Sequence, residues 1–176
     1  SSAGKYIEKF ENQFAEYCEC AEGVTTTSGT TAIHLALKSL GVGPGDEVLV
    51  PAFTMVGSVY PIVQCGASPV FVDSEPDTGN MDIQDLESKI TASTKVILIV
   101  HIYGHPADMD PICDLARSRN LKILEDAAEA HGALYKGRKA GSLGDVGCFS
   151  FYANKIITTG EGGMIVSNDK DLIKKA

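Results

Sequence analysis

Short apolar runs alternate along the chain with segments whose apolar residues recur every three or four positions. The run 96–100 is apolar throughout, which is typical of a strand buried on both faces of a parallel sheet. The segment 30–40 instead repeats apolar residues at Ile33, Ala36, Leu37 and Leu40, as one face of a helix does. This alternation predicts an α/β protein in which helices cover a mostly parallel sheet.

The same pattern places the individual elements. Strands are predicted at residues 23–27, 47–51, 69–73, 95–101, 122–125, 146–151 and 164–167. Helices are predicted at residues 6–18, 30–40, 55–64, 83–90 and 109–119, with a further short helix after Lys155. Turn-forming residues separate them at 43–46, 75–80 and 135–138. No repeat or linker interrupts the series, so we expect one compact domain over residues 1–176.

Composition limits the classes of partner. The chain has 15 Lys and Arg against 23 Asp and Glu, a formal net charge of −8, and it lacks the basic stripe that nucleic-acid binding needs. No apolar run approaches the ~20 residues of a membrane-spanning helix. The chain opens without the pattern of a secretory signal peptide. We therefore expect a cytoplasmic protein that binds neither nucleic acid nor a membrane.

The cysteines and histidines do not indicate a metal site. The five cysteines are scattered, and only Cys18 and Cys20 lie close together, which favours the reduced thiols of a cytosolic protein. His101 and His105 have the i, i+4 spacing of a helical ligand pair. Gly104 and Pro106 disfavour a continuous helix there, so we predict no metal site.

Two residues point to a specific chemistry. Asp126 ends the mostly apolar run 121–126, and Lys155 lies in the exit segment of a predicted strand. Such an acid can keep the pyridine nitrogen of pyridoxal phosphate (PLP) protonated, and such a lysine can form a Schiff base with it. The lysine must react as the neutral amine, which partial burial and a nearby positive charge would favour. Two plainer interpretations remain: Asp126 caps a helix beginning at Ala127, and Lys155 is a solvated charge.

A third segment suits a phosphate group. Ser28, Gly29 and Thr30 open a predicted helix, where free backbone N–H groups and a partial positive charge attract anions. Gly29 lets a ligand approach the backbone, and Thr30 adds a hydroxyl donor. The alternative is a helix cap without a ligand. The sequence has neither the GxGxxG nor the GxxxxGK pattern, so dinucleotide and ATP binding lack their usual support.

Taken together, the motifs resemble the large domain of the DegT/StrS-type PLP-dependent sugar aminotransferases. The resemblance runs from about Gly4 to the end of the chain. It is carried by FE (10–11), FA (14–15), SGTTAIHLAL (28–37), GPGDEV (43–48), PAFT (51–54), HIYGHPADMD (101–110), EDAAEAHG (125–132), SF (150–151), Lys155 and GEGG (160–163).

The resemblance implies a fold and an activity. The expected fold is that of a fold-type I PLP transferase, a three-layer α/β/α sandwich around a seven-stranded, mostly parallel sheet. The expected enzyme is a homodimer with shared active sites. It would move an amino group from glutamate to a keto sugar nucleotide. Members of the family that make 4-amino sugars such as GDP-perosamine are the most similar.

The resemblance also implies residue roles. Lys155 would be the Schiff-base lysine and the acid and base of the proton shift, and Asp126 would pair with the pyridinium nitrogen. Gly29, Thr30 and Ser150 would contact the phosphate. Two further positions depart from the family's pattern and are expected at the cofactor. Glu129 takes the place of the usual Gln near the O3′ edge, and Met55 takes the place of an aromatic residue that stacks on the ring.

Other interpretations of the sequence remain open. Full members of the family are about twice this length and end in a smaller domain, so the chain is expected to be the large domain without it. A non-catalytic or regulatory fragment that binds PLP or a nucleotide sugar is therefore an alternative. Related deoxysugar dehydratases replace the lysine with histidine, and Lys155 argues against that activity. An α/β domain without a cofactor is disfavoured by the joint presence of Asp126 and Lys155.

Overall fold

The computed structural model describes residues 2–176, with side chains from residue 4 onward. In this part of the chain the helices are α1 (Ser2–Tyr17), α2 (Gly29–Ser39), α3 (Val56–Gln64), α4 (Ile83–Ser88), α5 (Met109–Arg119) and α6 (Lys170–Lys175), with a 3₁₀ turn at Ile102–Gly104. The strands are β1 (Glu22–Thr26), β2 (Glu47–Pro51), β3 (Ser68–Val72), β4 (Thr94–Val100), β5 (Lys122–Asp126), β6 (Leu134–Tyr135), β7 (Arg138–Lys139), β8 (Val146–Ser150) and β9 (Gly163–Ser167). No helix among residues 2–176 combines the length and apolar character needed to cross a bilayer.

Seven of the strands form one sheet in the order β1-β9-β8-β5-β4-β2-β3. The strands β3, β2, β4, β5 and β8 run parallel to one another. Strand β9 runs antiparallel to both of its neighbours, β8 and β1. The seven-stranded, mostly parallel sheet predicted from the sequence is therefore confirmed.

Helices cover both faces of this sheet. Because successive side chains of a strand point to opposite faces, Val96 and Leu98 of β4 belong to one core and Ile97 and Ile99 to another. Helices α2, α3 and α6 pack over the first core, and α4 and α5 over the second. Helix α1 covers the end of the sheet that contains β8 and β9, through Phe14. The result is the predicted three-layer α/β/α sandwich.

The predicted elements agree with the structure to within a few residues, but one predicted helix is absent and the short hairpin of β6 and β7 was not predicted. The short helix predicted after Lys155 is wrong, because residues 156–162 form bends and irregular structure, with one isolated bridge between Gly160 and Tyr152. Ile156 and Ile157 are β-branched, which disfavours a helix. The side-chain hydroxyl of Thr158 and the N–H of Thr159 both donate to the carbonyl of Phe151, at 3.0 Å each. These hydrogen bonds fold the segment back on the end of β8 instead of continuing it as a helix.

Candidate active site

A cavity of about 530 Å³ opens at the carboxyl ends of the parallel strands, where α/β sheets bind ligands. It lies among the first turns of α2 and α3, the end of β5 and the segment that follows β8. Its lining includes all seven residues predicted for the cofactor: Gly29, Thr30, Met55, Asp126, Glu129, Ser150 and Lys155. Residues up to 126 positions apart in sequence thus meet at one place.

One end of the cavity is formed by the N-terminus of α2. The side chain of Ser28 caps this helix by accepting from the N–H of Thr31, and Thr31 in turn accepts from the N–H of Ser28. The helix cap proposed as the plainer interpretation is therefore real. Gly29 packs so closely on the next strand end that an added Cβ would lie 2.8 Å from the Cβ of Ser150. The cap and the bare Gly29 together leave the start of the helix open toward the cavity.

Asp126 forms the buried end of the cavity. Its Oδ2 accepts a hydrogen bond from the hydroxyl of Ser58 at 2.7 Å, and its Oδ1 accepts from the N–H of Ala128 at 3.1 Å. Burial raises the pKa of Asp126, and these hydrogen bonds and the charges of His101 and Lys155 oppose the rise. No helix begins at Ala127, where the chain forms a turn, so the alternative role as a helix cap is wrong.

Lys155 reaches the same cavity from the segment after β8. Its side chain is 17% exposed, and its Nζ lies 3.5 Å from Oε1 of Glu129. The other oxygen of Glu129 accepts from the N–H of Tyr103 at 3.1 Å. The lysine is thus partly buried as expected, and the alternative of a fully solvated charge is wrong. The charged group closest to it is an acid rather than the positive charge anticipated from the chemistry.

The mouth of the cavity is apolar. Met55 is 72% exposed and precedes the first residue of α3. Phe53 and Tyr103 also line the cavity and make a T-shaped contact with ring centroids 6.2 Å apart. Tyr103 has a left-handed backbone with φ of 49°, an uncommon conformation for a residue other than glycine. Met55 is therefore at the cavity, as predicted, but on its rim.

Several lining residues were given no role from the sequence. Ser58 and Thr54 hydrogen-bond beside Asp126, and Tyr103 holds Glu129. Ser58 lies inside a predicted helix and gives no pattern that marks it. Tyr103 has one usable cue, because the Gly that follows it and the Pro at position 106 predict a turn there.

The residues present fit PLP. The start of α2 and the hydroxyl of Ser150 suit a phosphate, while the buried carboxylate of Asp126 suits a protonated ring nitrogen. Gly57 also lacks a side chain where one would crowd the cavity, since an added Cβ would lie 3.0 Å from Oγ1 of Thr30. Lys155 supplies an amine in the same cavity. Fold and site together are those of a fold-type I PLP-dependent enzyme.

Comparison with known proteins gives the family. The chain belongs to the DegT/DnrJ/EryC1/StrS aminotransferase family, which it matches over residues 1–176. The GDP-perosamine synthases of Caulobacter vibrioides and Escherichia coli O157:H7 are each 55% identical to it. They match 99% and 98% of this chain, which is 47% of the length of each relative. The chain therefore spans about half the length of the curated relatives it matches.

A solved structure gives the same result. The aminotransferase from Psychrobacter cryohalolentis superimposes with a TM-score of 0.94 and is 44% identical in sequence. The match covers 96% of this chain and 43% of that protein. The structural similarity therefore extends over nearly the whole of this chain.

Proposed function

We propose that this chain is the PLP-binding large domain of an aminotransferase that moves an amino group from glutamate to a keto sugar nucleotide. The observation that carries the proposal is the meeting of Lys155 and Asp126 in one cavity with the N-terminus of α2. PLP, when bound, supplies the electron sink for this chemistry. The smaller domain of the family would belong to the length that the relatives have beyond this match.

Each end of the cavity has a distinct proposed task. Asp126 holds a proton on the ring nitrogen by pairing a negative with a positive charge. The N–H groups that open α2 at Gly29 and Thr30, with the hydroxyl of Ser150, bind the phosphate. Met55 packs on the face of the ring, where a thioether makes a softer contact than an aromatic ring does.

Lys155 is proposed to have two tasks. Its Nζ holds the cofactor covalently before substrate arrives, and as a free amine it later carries the proton between two carbon atoms. Glu129, 3.5 Å from this nitrogen, lies where it can orient the amine and contact the edge of the cofactor. A histidine at position 155 would lack this amine, so the lysine favours amino transfer over the dehydration carried out by related enzymes.

The substrate is proposed to be a 4-keto-deoxysugar nucleotide, giving a 4-amino sugar for lipopolysaccharide or another cell-surface glycan. The support is the name of the GDP-perosamine synthases that are 55% identical to this chain. The combination of Glu129 with the Ala-His-Gly that follows it resembles the same group of enzymes.

The surroundings of the cavity support a homodimer in the cytoplasm. The exposed apolar residues Met55, Val56, Tyr60 and Val63 lie along one side of α3, and Ile156 is exposed beside Lys155. Such a patch next to a site is typical of a protein interface. The five cysteines are free thiols, which suits a reducing compartment.

The proposal is tested by trapping the cofactor. The purified chain is incubated with PLP, reduced with borohydride and digested, and the modified peptide is mapped by mass spectrometry. We expect a pyridoxyl group on Lys155 alone and no adduct in Lys155→Ala. Lys95→Ala is the matched control, because that lysine binds Asp46 and the carbonyl of Gly41 away from the cavity. Labelling spread over surface lysines would contradict the proposed site.

Turnover then separates an enzyme from a non-catalytic binding protein. Glutamate and a set of keto sugar nucleotides are supplied, and 2-oxoglutarate is measured. The assay is run on this chain and on a chain extended to the length of its relatives. Formation of 2-oxoglutarate with one sugar class supports the aminotransferase. An adduct on Lys155 without turnover by either chain would favour the alternative, a regulatory or non-catalytic protein that binds PLP.

A further inference from the structure

A buried serine contacts the carboxylate at the base of the cavity. Ser58 lies in the first turn of α3 and is 1% exposed. Its hydroxyl is 2.7 Å from Oδ2 of Asp126, 68 positions away in sequence. When Asp126 is ionised, its carboxylate only accepts hydrogen bonds, and the hydroxyl hydrogen of Ser58 then points to Asp126. The direction of this hydrogen bond is therefore fixed by the charge of its acceptor.

A second hydroxyl extends the contact. Oγ1 of Thr54 lies 2.9 Å from Oγ of Ser58. Since the hydrogen of Ser58 is used by Asp126, the oxygen of Ser58 is the acceptor and Thr54 is the donor. The result is a directed chain from Thr54 through Ser58 to Asp126. Donation to Ser58 polarises its hydroxyl and strengthens its bond to the carboxylate.

Ser58 does not make the contact that a serine in a helix usually makes. Ser39 in α2 shows the usual arrangement, with its hydroxyl donating to the carbonyl of Leu35 at 2.9 Å. The residue four positions before Ser58 is Thr54, which precedes α3, so this helix offers Ser58 no such carbonyl. The hydroxyl of Ser58 instead contacts a residue on another element, which points to a role at Asp126 rather than in the helix.

Both oxygens of Asp126 are held before any ligand arrives. Ser58 binds Oδ2, and the N–H of Ala128 binds Oδ1 at 3.1 Å. Two contacts on two oxygens fix the plane of the carboxylate, and each oxygen keeps a second acceptor position. The side chain is therefore oriented as an acceptor for a donor in the cavity.

We propose that Ser58, supported by Thr54, is a positioning residue that keeps Asp126 ionised and fixes the direction of its carboxylate. Burial alone would favour the protonated acid, which cannot stabilise a positive ring nitrogen. The consequence for PLP binding rests on the proposed function, whereas the charge and orientation of Asp126 do not depend on it.

The first test uses the chain without cofactor. The titration of Asp126 is followed by carboxyl ¹³C NMR in the unmodified chain, in Ser58→Ala and in Ser39→Ala, with the resonance assigned by its loss in Asp126→Asn. We expect Ser58→Ala to raise the pKa of Asp126 and Ser39→Ala to leave it unchanged. Thr54→Val should raise it by less. An identical titration in Ser58→Ala and the unmodified chain would overturn the proposal.

The second test measures PLP affinity by its absorbance. We expect Ser58→Ala to weaken PLP binding about tenfold, as loss of one hydrogen bond to a charged group would. The same change made in the Asp126→Asn chain should have little effect, because the two residues act as one unit. Equal losses in both backgrounds would overturn the positioning role. If neither the unmodified chain nor a chain extended to the length of its relatives binds PLP while the titration shifts as expected, the proposed function fails and the role of Ser58 stands.

Discussion

Glu125 is fully buried although it carries a carboxylate. Its two oxygens accept the N–H groups of Gly141, Leu143 and Gly144 at 2.6–2.7 Å and Nε2 of His101 at 2.9 Å. These donors come from the loop before β8 and from the end of β4. One side chain thereby joins the loop before β8 to His101, which follows β4, and these donors explain how a charge is accommodated in the core.

Removing this charge should destabilise the fold. Glu125→Gln turns an amide NH₂ toward donors that need an acceptor, so we expect the free energy of unfolding to fall by about 3 kcal/mol. Urea unfolding followed by circular dichroism measures it. Glu161→Gln is the control, because this side chain is exposed and the change should stay within about 0.5 kcal/mol. Equal stability of the two variants would show that the contacts of Glu125 add nothing.

Sequence reasoning found Asp126 but neither Glu125 nor Ser58. Adjacent residues of a strand face opposite sides of the sheet, so Asp126 points to the cavity and Glu125 to the other layer. The pattern of β5 shows two acids in a row and does not say which donors each will meet. Ser58 was missed because a serine in an amphipathic helix has no distinguishing spacing. Contacts made across distant segments determine both roles.

At the scale of elements, the first turn of α2 is fitted tightly against the sheet. An added Cβ on Gly163 of β9 would lie 2.2 Å from the carbonyl oxygen of Ser28, the residue that caps α2. Gly29 makes a similar approach to Ser150 at the end of β8. Two glycines thus allow the helix N-terminus to sit directly on two strand ends. The position of the proposed phosphate site follows from this packing.

A methyl group at Gly163 should disturb both packing and ligand binding. Because the clash is with backbone atoms that cannot rotate away, we expect Gly163→Ala to lower the free energy of unfolding by about 2 kcal/mol. PLP affinity should fall as well. Gly43→Ala is the control, since an added Cβ there meets nothing within 4 Å. Thermal unfolding and PLP titration measure the two effects, and a Gly163→Ala chain as stable as Gly43→Ala would contradict this account.

Most of the helices and strands could be predicted from the sequence. Continuous apolar runs such as 96–100 gave strands with errors of about one residue at each end, because turn residues bound them. The short helix after Lys155 failed because the hydroxyl of Thr158 competes for the carbonyl of Phe151. Such hydrogen bonds depend on the position of the end of β8, and the local sequence pattern gives no information about that position.

At the scale of the whole molecule, α1 closes one end of the sandwich with an aromatic cluster. Phe14 packs edge-on against Phe149 at 4.9 Å and Phe151 at 5.0 Å between ring centroids. His131 lies among the same rings and is 8% exposed. Burial lowers the pKa of His131, outweighing an opposing contribution from the backbone of Ser150, and the charge of Lys155 also lowers it.

This histidine predicts a dependence of stability on pH. Above pH ~6.5 it is neutral in both states, and as pH falls the unfolded chain takes up a proton that the folded chain resists. The free energy of unfolding should therefore decrease as pH falls below ~6.5, until the lowered pKa is passed. Denaturant unfolding at pH 5–7 should show a smaller decrease in His131→Phe than in the exposed-site control His105→Gln. Parallel curves for both variants would exclude His131 as the cause.

The order of the strands in the sheet could not be predicted from the sequence pattern. The apolar runs predicted seven strands and the resemblance to a family implied the same number, but neither pairs β1 with β9. That pairing depends on side-chain packing between segments at opposite ends of the chain. In the structure every residue of β1, from Glu22 to Thr26, has a partner in β9.

The pairing of β1 with β9 also determines when β1 can join the sheet during synthesis. The N–H of Ala21, just before β1, binds the side chain of Asn168, which is 147 residues later in the chain. A ribosome adding ~5–20 residues per second needs roughly 7–30 s to make that stretch. The parallel strands are synthesised during this interval, in which β1 has no neighbouring strand to pair with. Because Ser28 meets Gly163 only when β9 docks, we expect the first turn of α2 to reach its final position beside the cavity after β9 is made and not when Lys155 is added.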